Sequence, residues 1–195
     1  MSDNRVYGIG YYGSDLKGIS KHSVPGFSTW HSMMCRCYSK GFQNKNSNYK
    51  GCIVCNEWHS LSVFSNWYLK NYYIVPNERM ELDKDILVKG NKIYSPTTCV
   101  FVPQRINTLF VKSNHNRGKF PIGVYYDNLK KKYIANLTYK GKNLKLESCD
   151  LPIEAFFYYK FYKEELIREI AREYKVYIPE KLYEAMLNWE VEITD

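Results

Sequence analysis

A polar stretch at residues 112–119, rich in Asn and Gly, divides the chain into two parts with different hydrophobic patterns. Such clusters between periodic segments are typical of loops and domain boundaries. Before the stretch, apolar residues recur at helical spacing and then in short runs; after it, β-rich runs precede a long helical pattern. At 195 residues the chain has room for two small domains. We predict an α+β protein with a lead-in at 1–27, a first domain at 28–112 and a second domain at 113–195.

The first domain has a helical portion followed by a strand, a loop, a strand and a helix. Apolar residues three or four apart from Phe27 onward predict one helix, and a second follows with an aromatic stripe on one face. Beyond Pro76 the pattern predicts a strand at 81–87, a turn-rich loop at 88–96, a strand at 99–102 and a helix opened by Pro103.

In the second domain, turn signals separate three β-rich runs and predict a three-stranded meander at 122–126, 132–139 and 143–148. A long helix starting at Pro152, with Asp150 as its N-cap, is expected to cover one face of the sheet. A last short helix starts at Pro179, and residues 191–195 have a strand-like pattern.

The charge of the chain is unevenly distributed. The net charge is +8, but the first 151 residues carry 22 basic and 10 acidic side chains, whereas the rest carries 6 and 10. Residues 112–145 hold nine basic side chains and one acidic side chain, Asp127, interleaved with tyrosines. This pattern suits a phosphate backbone, and a lysine-rich solvated surface remains the alternative.

The chain has no apolar run near the ~18 residues that a membrane span needs, so we predict no membrane insertion. The first fifteen residues lack the basic and then apolar order of a secretory signal, which predicts a cytoplasmic location. In that reducing compartment the six cysteines are expected to be thiols or metal ligands.

The strand, loop, strand and helix at 81–110 match the compact fold that nucleases use to hold one divalent metal beneath a phosphate. Such a site needs a strand-end carboxylate and a polar helix residue to bind Mg²⁺ or Mn²⁺, with a neighbouring base to activate water. The strand offers Asp83, Lys84 and Asp85, and the helix offers Asn107. Asp83 and Asn107 are the predicted Mg²⁺ ligands, and surface acids flanking a strand are the alternative.

At these positions the chain resembles the HNH (His-Me finger) endonucleases, specifically the phage-encoded homing type. The resembling stretches are residues 30–38, 49–58, 82–86, 90–103 and 106–107. The resemblance implies a ββα-metal core that cleaves duplex DNA inside an infected bacterial cell. In the common family pattern a general-base histidine follows the metal-binding Asp, but here Lys84 follows Asp83. A lysine is protonated at neutral pH, so Asp85 is the alternative base.

Residues 123–160 resemble the APETALA-type DNA-binding domain that is often fused to such nucleases. The resemblance implies a three-stranded sheet laid in the major groove of DNA and braced by a helix. The residues expected to bind DNA are Arg117, Lys119, Tyr125, Lys130, Lys132, Lys140 and Lys142.

Four cysteines form a C-x-C and a C-x-x-C pair, at Cys35, Cys37, Cys52 and Cys55. The spacing is a fair match to a structural Zn²⁺ site, and small buried thiols explain it as well.

Two other functions remain open at this stage. One is a catalytically inactive protein that binds DNA or inhibits a host system on the same scaffold, which the missing histidine favours. The other is an RNA-binding module, because a basic aromatic sheet also suits single strands.

Overall fold

The computed structural model describes residues 5–111 and 119–195. Most of the predicted boundary stretch at 112–119, including Arg117, therefore lies outside the described residues. The fold is mixed α+β, as predicted. Contacts divide the chain into two compact units, Met1–Asn107 and Thr108–Asp195. Among the described helices, none is long and apolar enough to cross a membrane.

Unit 1 (Met1–Asn107) contains four of the described α-helices and two small sheets. The helices are α1 (Phe27–Tyr38), α2 (Lys40–Lys45), α3 (Leu61–Asn71) and α4 (Gln104–Asn107). The strands are β1 (Ile53–Val54), β2 (Met80–Asp83), β3 (Ile93–Tyr94) and β4 (Val100–Pro103). β1 pairs in parallel with β3, and β2 pairs antiparallel with β4.

The core of unit 1 is formed by the predicted helical faces. On α1 the buried side chains are Trp30, Met33, Met34 and Cys37, three or four residues apart as the periodicity requires. α1 starts after Gly26, whose φ of 75° favours glycine and where a Cβ atom would lie 2.6 Å from the Tyr68 ring. Part of the predicted lead-in also packs on this core, through Val6, Ile9, Tyr12 and Leu16.

The strand predicted at 81–87 is too long, because β2 ends at Asp83. Asp83 Oδ1 accepts hydrogen bonds from the backbone N–H groups of Asp85 (2.8 Å) and Ile86 (2.7 Å), and this side-chain-closed turn ends the strand. The loop predicted at 88–96 contains β3, which no alternating pattern marks because it is two residues long.

Unit 2 (Thr108–Asp195) contains the predicted meander and the two predicted helices. The strands are β5 (Val124–Asp127), β6 (Lys132–Tyr139) and β7 (Lys142–Cys149), and the helices are α5 (Pro152–Tyr174) and α6 (Glu180–Leu187). The sheet order is β5-β6-β7 with antiparallel pairing. α5 packs on one face of the sheet, where Ala135, Leu137 and Cys149 meet Ala155, Phe156 and Tyr159.

Two local predictions in unit 2 are wrong. The N-cap of α5 is Leu151, whose N–H donates to Glu154 Oε2 at 3.3 Å, while Asp150 forms an ion pair with Lys132. Residues 191–195 form no strand, because Val191 is buried on α5 and its N–H donates to Glu164 Oε1 at 2.8 Å.

Candidate active site and nucleic-acid interface

Asp83 lies at the end of β2 with a partly buried side chain. Burial and the neighbouring Asp85 charge raise the pKa of Asp83 to about 7, although the backbone N–H groups of Ile86 and Asp85 act in the opposite direction. A carboxyl group whose pKa is raised by burial and by a like charge is typical of functional sites, and such groups also occur in structural networks.

Lys84 lies beyond β2 and is 6% exposed. Its Nζ atom lies 2.9 Å from Asp85 Oδ2 and 5.8 Å from the centre of the Tyr94 ring. Burial, the largest single effect, lowers the pKa of Lys84, but Asp85 together with Cys52 and Asp83 outweighs burial, so the pKa lies above its ordinary value. Lys84 therefore keeps its proton, and its ammonium group forms an ion pair with Asp85.

Asn107 is the last residue of α4, and its Nδ2 atom donates to Glu81 Oε2 at 2.6 Å. Successive side chains of a strand point to opposite faces, so Glu81 and Asp83 share one face of β2. The carboxylate that Asn107 contacts is thus Glu81, a residue that the sequence reasoning missed. Counting back two positions from Asp83 along the strand would have identified it.

Two arginines act on the Glu81 carboxylate. Arg79 Nε lies 3.8 Å from Glu81 Oε1, and the charge of Arg36, on α1, also interacts with Glu81. The guanidinium carbon of Arg36 lies 5.6 Å from the Tyr49 ring centre. The Glu81 end of the strand face therefore combines one carboxylate, one amide and two cations.

Glu81, Asp83 and Asn107 carry oxygen donors of the kind that Mg²⁺ and Mn²⁺ prefer, and the hydrogen bond between Asn107 and Glu81 joins two of these residues. Two of these residues are carboxylates two positions apart on β2, which corresponds to about 7 Å along a strand. Across residues 5–111 and 119–195, no cluster of three or more His, Cys, Asp or Glu side chains is arranged to hold a metal ion. A metal at this face would therefore need the Asn107 amide or water to complete its coordination.

The four cysteines of the predicted Zn²⁺ site do not all share the same neighbours. Cys35 hydrogen-bonds with Tyr7, whereas Cys37 lies near Cys52, and Cys55 interacts with Glu57 and Cys99. Residues two apart on a helix point about 200° apart, which explains why Cys35 and Cys37 diverge. Burial raises the pKa of Cys37 and of Cys99 to about 12. All six cysteines lie in the described residues, and no disulfide bond joins any of them.

The sheet face of unit 2 that is turned away from α5 is mainly polar. Ala135 and Leu137 face α5, so strand alternation puts Asn136 and Thr138 on the other face. Their partners on β7 are Lys145 and Asn143, and Thr138 Oγ1 donates to Asn143 Oδ1 at 2.6 Å. Tyr125, from the predicted set, joins this face as the partner of Ile134.

The predicted lysines lie at both ends of the sheet. Lys130 is in the β5–β6 turn and Lys132 starts β6, whereas Lys140 is in the β6–β7 turn and Lys142 starts β7. β6 has eight residues, so the two groups are separated by about 23 Å along the strand. Lys132 is paired with Asp150, Lys140 lies over the Tyr139 ring, and the exposed Lys119 lies over Phe120.

Sequence reasoning named the lysines but missed the polar residues between them, Asn136, Thr138, Asn143 and Lys145. The alternation of polar residues with Ala135 and Leu137 along β6 could have identified the polar face in the sequence.

In comparisons with known proteins, no family model, no curated protein and no solved structure matched this chain.

Proposed function

We propose that this protein is a divalent-metal-dependent endonuclease that cleaves duplex DNA, with the nuclease site in unit 1 and the main DNA-binding surface in unit 2. The observation that carries the proposal is the β2–β4–α4 arrangement. An antiparallel strand pair leads directly into a helix, and Asn107 on that helix contacts a carboxylate on the same strand face as Asp83. This is the layout that the His-Me finger resemblance implies.

In this proposal Asp83 and Asn107 hold Mg²⁺ or Mn²⁺, and Glu81 either joins them as a ligand or orients Asn107 through their hydrogen bond. The ion would stabilise charge on the leaving 3′ oxygen of the phosphodiester. Asp85 is the residue assigned to accept a proton from water, because Lys84 stays protonated. Arg79 is largely exposed beside Glu81 and is suited to contact a phosphate.

The polar sheet face of unit 2 supports DNA as the substrate. Amide and hydroxyl groups in its centre suit base edges in the major groove, and lysines at its two ends suit the flanking phosphates. The groove is about 12 Å wide, so a strand about 23 Å long reaches across it from backbone to backbone. Binding through this unit would raise the effective concentration of the nuclease unit at its target.

The test is nicking of supercoiled plasmid by the full chain with Mg²⁺ or Mn²⁺. Asp83→Asn, Asn107→Ala and Glu81→Gln should each reduce nicking by at least a hundredfold, which corresponds to about 2.7 kcal/mol of transition-state stabilisation. Glu57→Gln is the matched control, because Glu57 is an exposed acid of the same unit outside this strand face, and it should leave nicking unchanged.

A catalytically inactive DNA-binding protein on the same scaffold is the second candidate. The observation that favours it is Lys84, which stands at the position of the expected histidine and is held protonated and buried against Asp85. Wild-type protein that binds duplex DNA but nicks no plasmid with either ion would favour this candidate. Preference for single-stranded RNA in a competition assay would contradict duplex DNA as the ligand of either one.

A further inference from the structure

The turn between β5 and β6 presents an apolar side chain at its tip. The two strands are last paired at Asp127 and Lys132, and the four residues between them, 128–131, are all exposed. We call these four residues the β5–β6 tip. Leu129 is 96% exposed, more than any other large apolar side chain in the described parts of the chain. Its side chain therefore adds almost nothing to the core of unit 2.

Asp127 holds the tip in a fixed conformation. Its Oδ1 atom accepts hydrogen bonds from the backbone N–H groups of Leu129 at 3.0 Å and of Lys130 at 3.1 Å. These two bonds close the turn through the backbone and leave the Leu129 side chain projecting from an ordered support. A ligand that contacts Leu129 would thus order little additional chain, which lowers the entropic cost of binding.

The backbone of the tip is strained at Lys131. This residue has a φ of 55°, in the left-handed region that favours glycine or asparagine. A lysine at this position makes the turn less stable than a glycine would. Strained residues of this kind cluster at ligand-binding sites, where the side chain is needed in spite of its cost. The exposed charge of Lys131 therefore points to a negatively charged ligand.

The charge of the tip favours nucleic acid as this ligand. Lys130 and Lys131 directly follow Leu129, and the tip contains no acidic residue. The nearest acid along the chain, Asp127, is turned to the backbone of the tip. An apolar side chain beside two ammonium groups suits a DNA duplex, because its phosphates attract lysines and its stacked bases offer an apolar surface between them.

The length of the sheet places the tip beyond the major groove. This step rests on the proposed binding of duplex DNA by the polar sheet face. β6 is about 23 Å long and the major groove is about 12 Å wide, so a strand laid across the groove extends past each backbone by about 5 Å. The tip reaches farther still, toward the neighbouring minor groove. The turn at the other end of the sheet, Lys140–Gly141, has no apolar side chain.

We propose that the β5–β6 tip enters the minor groove of duplex DNA, where Leu129 wedges between two base pairs and Lys130 and Lys131 bind the phosphates beside it. Apolar wedges in the minor groove partly unstack a base step and bend the duplex by about 20–90° toward the major groove. A bend in this direction would close the duplex around the sheet. The protein therefore bends its DNA, an activity that is separate from cleavage.

The end-to-end distance of a bound duplex tests the proposal. The probe is a duplex of about 20 base pairs, a length over which bending is measurable, that the full-length wild type retains from a random-sequence library. It carries a donor and an acceptor dye at its ends, and divalent metal is left out so that it is not cut. Saturating wild type should raise energy transfer, whereas saturating Leu129→Ala should leave it at the value of free DNA. Leu129→Met should bend the duplex, because methionine also serves as a wedge.

Two further measurements separate loss of the wedge from loss of binding or folding. Leu129→Ala removes no charge, so its salt slope should equal that of the wild type. Its affinity should fall by less than about tenfold, because the lost apolar contact is largely offset by the base step that stays stacked. Its melting temperature should be unchanged, since Leu129 is so exposed. Val176→Ala is the matched control, 85% exposed elsewhere in unit 2, and should bend the duplex as the wild type does.

Three results would overturn the proposal. One is a wild type that binds the duplex without raising energy transfer, and another is a Leu129→Ala variant that bends it as the wild type does. The third is binding of the full chain to anionic phospholipid vesicles that Leu129→Ala abolishes, which would assign the tip to a lipid surface. A wild type that retains no duplex from the library would instead contradict the proposed DNA binding itself, and the wedge with it.

Discussion

At the scale of single residues, Asp83 has two roles that oppose each other. Its Oδ1 atom closes the turn that ends β2, which stabilises the fold. Its negative charge is partly buried beside Asp85, which destabilises the fold and raises the pKa to about 7. A bound cation would relieve the second effect, as is common for carboxylates in functional sites.

Asp83→Asn should make the protein at least as stable as the wild type at pH 8. The amide oxygen still accepts the two backbone N–H groups, and the buried charge is gone. The folded-state pKa lies above the ordinary value of 3.8, so the folded wild type binds more protons than the unfolded chain between about pH 4 and 7. The stability that protonated Asp83 gives the folded wild type is fully present below about pH 4 and is lost as the pH rises through 7.

Urea unfolding of both proteins at pH 4 and pH 8 checks this prediction, with Mg²⁺ absent. The stability of Asp83→Asn relative to the wild type should be greater at pH 8 than at pH 4. Asp127→Asn is the contrasting control, because the backbone N–H of Lys130 lowers the pKa of Asp127. A relative stability of Asp83→Asn that falls between pH 4 and pH 8 would contradict the assigned burial.

At the scale of elements, the packing of α5 on its sheet depends on Gly123. This residue precedes β5, has φ of 73° and gives its carbonyl to the N–H of Asn136 at 2.7 Å. A Cβ atom at this position would lie 2.0 Å from the Tyr159 ring. The close approach of helix and sheet therefore requires glycine on two grounds, backbone conformation and space.

Gly123→Ala should destabilise unit 2 by about 2–4 kcal/mol, from overpacking against Tyr159 and the left-handed conformation together. Denaturant unfolding followed by a probe within unit 2, such as Trp189, would measure the loss. Gly141→Ala is the matched control: it has φ of 72° but no atom near its would-be Cβ, so it should lose only the conformational part. Equal losses in the two variants would show that the Tyr159 contact is not tight.

At the scale of the whole molecule, the positive charge and the polar sheet face predict that the proposed DNA binding weakens as the salt concentration rises. If about five phosphates are neutralised, log K should fall with log salt at a slope near −4 to −5. Unchanged affinity between low and high salt would remove the basic segment from the interface.

Two lysines at one end of the sheet, Lys130 and Lys132, are expected to contribute unequally to the salt dependence of the proposed DNA binding. Lys130→Gln should reduce the magnitude of the salt slope by about one, because its side chain has solvent-exposed charge in the turn. Lys132→Gln should reduce it by less, because Asp150 already neutralises Lys132. Asn136→Ala is the control: it should change preference among sequences and leave the slope unchanged. Equal slope changes for the two lysines would show that the Asp150 pair opens on DNA.

The sequence by itself determined the features that depend on neighbours along the chain. Turn residues separated the three strands of the meander, and helical spacing placed the buried side chains of α1 and the start of α5 at Pro152. Such periodicity needs no long-range contact, because it depends only on the spacing of apolar residues within one segment. The strand predicted at 81–87 was too long for a local reason. The Asp83 side chain closes a turn that ends β2, and a pattern of apolar residues gives no sign of such a hydrogen bond.

Only the tertiary structure decided which distant side chains meet. It brought Asn107 to Glu81 and turned Cys35 away from Cys37. It also left Phe161 exposed, although its aromatic side chain would suggest a buried position. The physical reason is that each outcome depends on the packing of one element against another, and period and propensity within a segment do not specify that packing.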